Sequence, residues 1–148
     1  MTTCCTFTVG GRSFGLAVDR VREVIRHPAL TPVPLAPRVV AGLINLRGEV
    51  LLALDLRVRL GVAPEKPERP PVDLIVQGRE GTLSLLVDDV GPVMPLRDED
   101  FEPIPETVPT ALRAVLAGAY KLADRLLLVL DPDKAGDLRI REALHGGR

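Results

Sequence analysis

The most informative segment of the sequence reads Gly42-Leu43-Ile44-Asn45-Leu46-Arg47-Gly48-Glu49-Val50-Leu51-Leu52-Ala53-Leu54-Asp55, in which two apolar runs flank a polar centre. This pattern predicts two strands joined by a tight turn. Gly48 supplies the backbone freedom of the turn, and Asn45, Arg47 and Glu49 lie at or beside it. A turn does not require an arginine, whose planar guanidinium carries several donors in a fixed arrangement. Arg47 is therefore a candidate for partner recognition, and a solvated turn residue is the alternative.

The composition indicates a globular protein of one ordinary domain or two very small ones. The chain has 148 residues, of which 46% are apolar, enough to bury a core. Its longest apolar runs are far too short to cross a bilayer, so we expect a cytoplasmic protein with no membrane insertion. The two cysteines, Cys4 and Cys5, are neighbours and indicate neither a disulfide framework nor a metal site. We expect one of them to pack inward on the first strand.

Charge is unevenly distributed along the chain. The net charge is −1, yet residues 1–63 carry eight arginines against four carboxylates, so the remainder is acidic. Two halves of opposite charge could assist contacts with a partner or between copies of the chain, but scattered surface charge without a role is the simpler explanation.

The alternation of apolar residues and the positions of glycine and proline predict the remaining strands and connections. Cys5, Phe7 and Val9 alternate before Gly10-Gly11, and Phe14, Leu16 and Val18 alternate after it, which predicts a hairpin with an inward apolar face. Prolines keep residues 31–37 extended. A second group of prolines, at positions 64, 67, 70 and 71, predicts an exposed linker.

The pattern is repeated after the linker. Residues 13–24 align with 82–93, and residues 40–55 align with 116–131, in the same order and with similar spacing. Two ordered matches indicate an internal duplication, and short strands with Gly/Pro-rich connections are typical of small barrels or sandwiches. The repeat pairs Asp19 with Asp88 and Asp55 with Asp131, so we predict turn or capping roles for these carboxylates.

These patterns predict an all-β protein in one domain, 1–148, made of two copies of about five short strands each. The approximate subdomains are 1–63 for the first copy and 72–131 for the second, with terminal strands free to cross between them. Residues 98–101 are expected to form one helical turn. Asp131 and Pro132 have the chemistry of an N-cap and a first helical residue, which predicts a terminal helix over 132–145.

The repeat also compares two versions of the central turn. Where the first copy has Asn45-Leu46-Arg47-Gly48, the second has Lys121-Leu122-Ala123-Asp124. The leucine is kept while the polar positions differ, so the fold accepts other residues there. This difference favours a functional role for Asn45 and Arg47.

The sequence offers little for catalysis, so we predict that the protein is not an enzyme and uses no cofactor. Its two histidines, His27 and His145, are isolated from other candidate catalytic groups, and no metal-ligand spacing, phosphate loop or nucleophile motif occurs. Small barrels also bind single-stranded nucleic acids through aromatic platforms. With three Phe and one Tyr, nucleic-acid binding remains a weak alternative that depends on the basic first half.

The sequence resembles the CheW-like family of bacterial chemotaxis coupling proteins. The resemblance rests on Asn45-Leu46-Arg47-Gly48, on the strand ending at Asp55-Leu56-Arg57, and on Val21-Arg22-Glu23-Val24 with the Pro-rich connection to Gly42. It implies two five-stranded SH3-like barrels around a shared core and a scaffold without catalytic activity. The implied partners are the cytoplasmic tip of methyl-accepting chemoreceptors and the regulatory domain of a CheA-type histidine kinase. The implied receptor-facing or kinase-facing residues are Val21, Glu23, Asn45 and Arg47.

One departure from the family pattern is Leu52, near which the family commonly has a proline. The resemblance leaves the output open between flagellar chemotaxis and another chemosensory pathway. The alternative function is a small barrel that binds another protein or nucleic acid outside chemosensing.

Overall fold

The computed structural model describes residues 1–26, 29–62 and 70–138. Its strands are β1 (Thr2–Val9), β2 (Arg12–Ala17), β3 (Val21–Arg26), β4 (Val40–Leu46), β5 (Glu49–Asp55), β6 (Val72–Gly78), β7 (Gly81–Val87), β8 (Asp89–Leu96), β9 (Phe101–Glu102), β10 (Leu116–Lys121) and β11 (Leu126–Leu130). Its short helices are α1 (Leu56–Arg59), α2 (Thr110–Arg113) and α3 (Pro132–Ala135). No helix in these ranges is long and apolar enough to span a membrane. His27, most of the predicted linker (63–69) and residues 139–148 lie outside the described residues.

The strands form two sheets, which confirms the all-β prediction. One sheet has the order β3-β6-β7-β5-β4, and the other has the order β8-β1-β2-β11-β10-β9. The first has the five strands predicted, and the sixth strand of the second is the two-residue β9. Thr31, beyond β3, bridges to Leu43 of β4, so the five-stranded sheet curls until its two edges approach each other.

The sheets do not follow the halves of the sequence. Strands β1 and β2 belong with β8–β11, whereas β6 and β7 belong with β3–β5. The predicted subdomains 1–63 and 72–131 therefore do not correspond to the sheets. The cause is a pair of parallel contacts, β2 with β11 and β5 with β7. Gly15 pairs with Val129, and Ser84, its counterpart in the repeat, pairs with Ala53, the counterpart of Val129. The duplication therefore recurs in the strand register.

The described residues form three apolar clusters. The main cluster joins both sheets, with Phe7, Phe14 and Leu116 from the larger sheet and Leu54, Leu74 and Leu85 from the smaller one. A second cluster lies within the five-stranded sheet around Ile44, Leu51 and Ile75, and a third lies in the six-stranded sheet around Cys4, Tyr120 and Leu127. Two sheets that share one core hold each other in place, because separating them would expose the main cluster to water.

The opening hairpin is confirmed, although Val18 of its predicted inward face lies in a helical turn after β2 and is exposed. Phe7 pairs with Phe14, and their rings stack at 5.7 Å between centroids. The predicted inward face included Cys5, but Cys4 is buried and Cys5 is half-buried. Cys4 packs in the third cluster while Phe7 packs in the main one, so β1 buries side chains on both of its faces.

The two repeated aspartates cap helical turns. Asp55 accepts a hydrogen bond from Arg57 N at 2.9 Å at the start of α1, and Asp131 accepts one from Asp133 N at 2.9 Å at the start of α3. Their predicted capping role is confirmed. The predicted helix over 132–145 is wrong in its described part, because α3 ends at Ala135 with Gly136 as its C-cap. Residues 139–145 lie outside the described range. The helical turn expected at 98–101 is present over Asp98–Asp100.

Removing either cap is expected to lower stability. Asp55→Ala and Asp131→Ala should each reduce the free energy of unfolding by about 1 kcal/mol, because each leaves the first backbone donors of a helix without their acceptor. The measurement is urea denaturation followed by circular dichroism. Asp55→Asn keeps an acceptor oxygen and should lose less. An alanine variant as stable as the wild type would contradict the capping role.

Candidate functional site

The central turn has a geometry that few residues adopt easily. Arg47 and Gly48 connect β4 to β5 with φ values of 51° and 89°. Two successive positive φ values are the signature of a type I′ hairpin, in which glycine is readily accepted and arginine is not. Asn45 Oδ1 accepts a hydrogen bond from Gly48 N at 2.9 Å. The strand–turn–strand prediction is confirmed, and the Asn45 side chain helps to form the turn.

The corresponding turn of the second copy is built differently. Leu122 N donates to Arg125 O at 2.9 Å, which leaves Ala123 and Asp124 at the tip. Neither of these two residues has a positive φ. The two copies therefore close their hairpins with different turn types. The sequence difference between the copies therefore shows that a different turn type can close the hairpin. It does not show that the turn at Arg47 accepts any residue.

The Arg47 side chain forms an ion pair with Glu23 of β3. Nη1 lies 3.4 Å from Oε1, and Nη2 contacts Oε2 more closely. Because β3 and β4 are opposite edges of the five-stranded sheet, this pair joins the edges at the surface. The hydrogen bond from Arg47 holds the pKa of Glu23 below its ordinary value, and the same bond raises the pKa of Arg47. Both groups are therefore charged at neutral pH.

The pair remains open to a partner. The Arg47 side chain is 68% exposed and that of Glu23 is 29% exposed. An exposed ion pair contributes little to folding. The guanidinium has five N–H donors, and Glu23 occupies only part of them. A partner carboxylate or a helix-end carbonyl can therefore reach the remaining donors.

A second polar row continues the surface along the same sheet. Arg22 Nη1 lies 3.8 Å from Glu49 Oε1 and donates to Thr82 Oγ1 at 2.8 Å. Thr82 Oγ1 in turn donates to Gln77 Oε1 at 3.0 Å. This row joins β3 to β5, β6 and β7, so the backbone beneath the candidate surface is held across the sheet.

The four residues implied by the resemblance occupy different environments. Glu23 and Arg47 are in direct contact, and Asn45 supports the turn that carries Arg47. Val21 is half-buried and packs against the main core cluster. The structure thus brings three of the four to one surface and places Val21 largely in a packing role at the start of β3.

One exposed valine beside the turn was not predicted. Val50 pairs with Asn45 across the hairpin and is 62% exposed. Val50 continues the alternation of Leu52 and Leu54, which indicates an inward position. Sequence alternation carries no information about where the opposite sheet ends, so this apolar contact area was missed.

The described parts of the chain hold no group of three His, Cys, Asp or Glu side chains arranged to bind a metal ion. The surface around Arg47 combines one ion pair, a row of hydrogen bonds and the exposed Val50. Such a combination suits a protein contact, in which a few polar anchors are surrounded by apolar area.

Comparison with known proteins identifies the family. The family model of the CheW-like domain matches residues 3–138. The chain belongs to the CheW family. The chemotaxis protein CheW of Rhizobium meliloti strain 1021 is 32% identical over 137 residues, covering 93% of this chain and 88% of the relative. The chemotaxis protein CheW of Klebsiella aerogenes is 27% identical over 128 residues, covering 86% and 77% of the two chains.

A solved CheW structure has the same fold. The crystal structure of the scaffolding protein TtCheW from Thermoanaerobacter tengcongensis superposes with a TM-score of 0.85 at 26% identity, over 97% of each chain. The family and the barrel fold expected from the sequence are thereby confirmed. So is the chemotaxis adaptor function, at the level of the family.

Proposed function

We propose that this protein is a cytoplasmic, non-catalytic adaptor that couples methyl-accepting chemoreceptors to a CheA-type histidine kinase. Its partners would be the cytoplasmic tip of the receptor and the regulatory domain of the kinase. The observation that carries the proposal is the exposed Arg47–Glu23 pair, presented by a CheW fold on a turn whose backbone disfavours arginine. A costly conformation retained at an exposed position is typical of a functional site.

The Arg47 surface fits the receptor tip in its chemistry. A helical hairpin offers apolar ridges together with polar groups at its bend. Val50 supplies exposed apolar area, and the Arg47 guanidinium supplies donors for a carboxylate or for carbonyls at a helix end. Glu23 and Asn45 act by holding Arg47 in place, and Val21 anchors the start of β3 to the core.

The positions of the aromatic side chains argue against the alternative function, nucleic-acid binding. Phe7 and Phe14 are fully buried in the main core, and Tyr120 is buried against Phe101. Phe101 is the one aromatic residue with a large exposed area. A single exposed ring does not form a platform on which successive bases can stack.

Reconstitution with purified partners tests the adaptor function. The kinase and a receptor from the same genome are combined with and without this protein, and kinase autophosphorylation is measured. We expect a severalfold increase that is reversed by the receptor's ligand, because the adaptor holds both partners in one assembly. Unchanged autophosphorylation, together with no binding to either partner by calorimetry, would reject the proposal.

A further inference from the structure

The chain passes from one sheet to the other at two crossings, and an ion pair lies at each of them. The first crossing is the helical turn Val18–Arg20 between β2 and β3, and the second is Asp88 between β7 and β8. Arg20 pairs with Asp133 of α3, and Asp88 pairs with Arg57 of α1. These pairs are called here the Arg20 bridge and the Arg57 bridge. Both join residues that are distant in the sequence and lie where the sheets meet.

In the Arg57 bridge, one carboxylate binds donors from both sheets. Arg57, which follows β5 of the five-stranded sheet, places Nε 2.8 Å from Asp88 Oδ1 and Nη2 2.7 Å from Oδ2. Gly10 N, in the turn between β1 and β2 of the six-stranded sheet, donates to Oδ2 at 2.8 Å. The side chains of Arg57 and Asp88 are 19% and 21% exposed. A bidentate pair with this little exposure is stronger than a pair at an open surface.

The Arg20 bridge has the same plan at the other crossing. Arg20 Nη2 lies 3.1 Å and 3.2 Å from the two oxygens of Asp133, and Arg20 Nε donates to Gln77 O at 2.7 Å. Arg79 N, in the turn between β6 and β7 of the five-stranded sheet, donates to Asp133 Oδ1 at 2.7 Å. The bond from Arg79 N, together with the Arg20 guanidinium, holds the pKa of Asp133 below its ordinary value. The carboxylate is therefore ionised at neutral pH.

The two bridges occupy equivalent places in the duplication but have opposite polarity. Arg57 and Asp133 each lie two residues after the aspartate that caps their helix. Arg20 lies one residue after Asp19, which the repeat aligns with Asp88. The helix supplies the arginine of one bridge and the carboxylate of the other, and the crossing supplies the opposite charge. In both bridges a backbone N–H of a hairpin turn donates to the carboxylate, so the same backbone arrangement accepts either polarity.

The four charges are sorted by their position in the sequence. Both arginines precede the proline-rich linker, and both aspartates follow it. Two first halves placed together would bring arginine against arginine, and two second halves would bring aspartate against aspartate. Only a first half with a second half pairs opposite charges at both crossings. The opposite net charge of the halves is thus partly used inside the molecule.

We propose that the two bridges fix the sheets to each other at both crossings, and that their sorted charges direct the first half of the sequence to pair with the second. Each carboxylate binds donors on both sides of the junction. Loss of a bridge would therefore loosen the junction as well as unpair a charge, because a turn N–H would lose its ionised acceptor.

Inverting the Arg57 bridge separates charge pairing from other effects of substitution. Arg57→Asp brings two carboxylates together, and Asp88→Arg brings two guanidinium groups together. Each single variant should lower the midpoint of urea denaturation by about 1 M, because like charges meet at a partly buried site. The double variant Arg57→Asp with Asp88→Arg has the polarity of the Arg20 bridge and should recover at least about half of that loss. Arg97→Asp, at an exposed pair, is the control and should shift the midpoint by less than about 0.2 M.

Salt provides a second measurement that does not depend on the double variant. Raising NaCl from about 0.1 M to about 1 M shortens the screening length severalfold, so part of the loss in Arg57→Asp should be recovered relative to the wild type. Single variants as stable as the wild type would overturn the proposal. So would a loss that salt does not change, or a double variant no more stable than either single one.

The pairing of the halves is tested by mixing two full-length variants. Arg20→Asp with Arg57→Asp makes all four positions acidic, and Asp88→Arg with Asp133→Arg makes them all basic. Each protein alone has like charges at both crossings, whereas a complex that exchanges halves pairs every charge. We expect the mixture to form a 1:1 complex by light scattering, with a higher urea midpoint than either variant. A mixture with neither a complex nor a gain in stability would show that these charges do not direct the pairing.

Discussion

Arg47→Glu is expected to weaken binding of the receptor tip by at least about thirtyfold, the cost of losing a charged anchor at an interface. The substitution removes all five guanidinium donors and places a second carboxylate beside Glu23. Folding should be preserved, because the side chain is 68% exposed and glutamate has much the same backbone preference at this turn as arginine. Calorimetric titration of receptor fragments measures the affinity, and urea denaturation measures the fold.

Two further variants make this expectation specific. Arg97 is exposed to a similar extent and forms a 2.7 Å ion pair with Glu99 beyond the end of β8, so Arg97→Glu is a matched charge reversal away from the candidate surface. It should leave receptor binding unchanged. Arg47→Gly removes the side chain but suits the positive φ, and it should lose affinity while the denaturation midpoint stays equal or rises. Full binding by Arg47→Gly would show that Arg47 serves only the turn.

Asp73 and Ser84 form a buried polar pair whose removal is expected to stabilise the protein. Asp73 is 0% exposed, and its Oδ2 accepts the hydroxyl of Ser84. Its Oδ1 has no hydrogen-bond partner among the described residues. Burial raises the pKa of Asp73, although the bond from Ser84 opposes the shift. An ionised carboxylate at this buried position lowers the free energy of unfolding, because one of its two oxygens accepts no hydrogen bond from the described residues.

The raised pKa gives the pH dependence a definite sign. Below the unfolded-state value of about 3.9 the group is protonated in both states and costs nothing. As pH rises from there through the higher native pKa, the unfolded chain releases the proton more readily. The contribution of Asp73 to the free energy of unfolding therefore falls and stays low at neutral pH.

The double variant Asp73→Val with Ser84→Ala replaces both partners by apolar groups of similar total volume. It should be more stable than the wild type by about 1–3 kcal/mol at pH 7, with the difference shrinking toward pH 4. Asp73→Asn, which cannot ionise, should remove the same pH-dependent component. Urea denaturation at several pH values measures these differences. A wild-type advantage that grows with pH would contradict the assignment of a costly charge to Asp73.

Much of the fold could be predicted because duplication leaves a visible pattern. The matching of residues 13–24 with 82–93 and of 40–55 with 116–131 predicted paired hairpins, and the shared aspartates predicted the two caps. These are local properties, in which the residue type and its chain neighbours determine the conformation. The Arg47 turn was predicted for the same reason.

The features that were missed depend on distant parts of the chain. The parallel contacts of β2 with β11 and of β5 with β7 decide which hairpin joins which sheet. No local sequence pattern predicts these contacts. Cys4 is buried because the third cluster covers the second face of β1. Likewise, the exposure of Val50 depends on the extent of the opposite sheet.

Because strands are exchanged between the two halves of the sequence, the two sheets form in a fixed order during translation. Every strand of the five-stranded sheet lies between residues 21 and 87, so this sheet can form as soon as that stretch has emerged. The hairpin of β1 and β2 is synthesised first, yet β2 lacks its neighbour until β11 is made, ending at Leu130. Phe7 and Phe14 therefore remain without much of their final packing through most of translation. During that interval the oldest part of the nascent chain is the part most in need of chaperone protection.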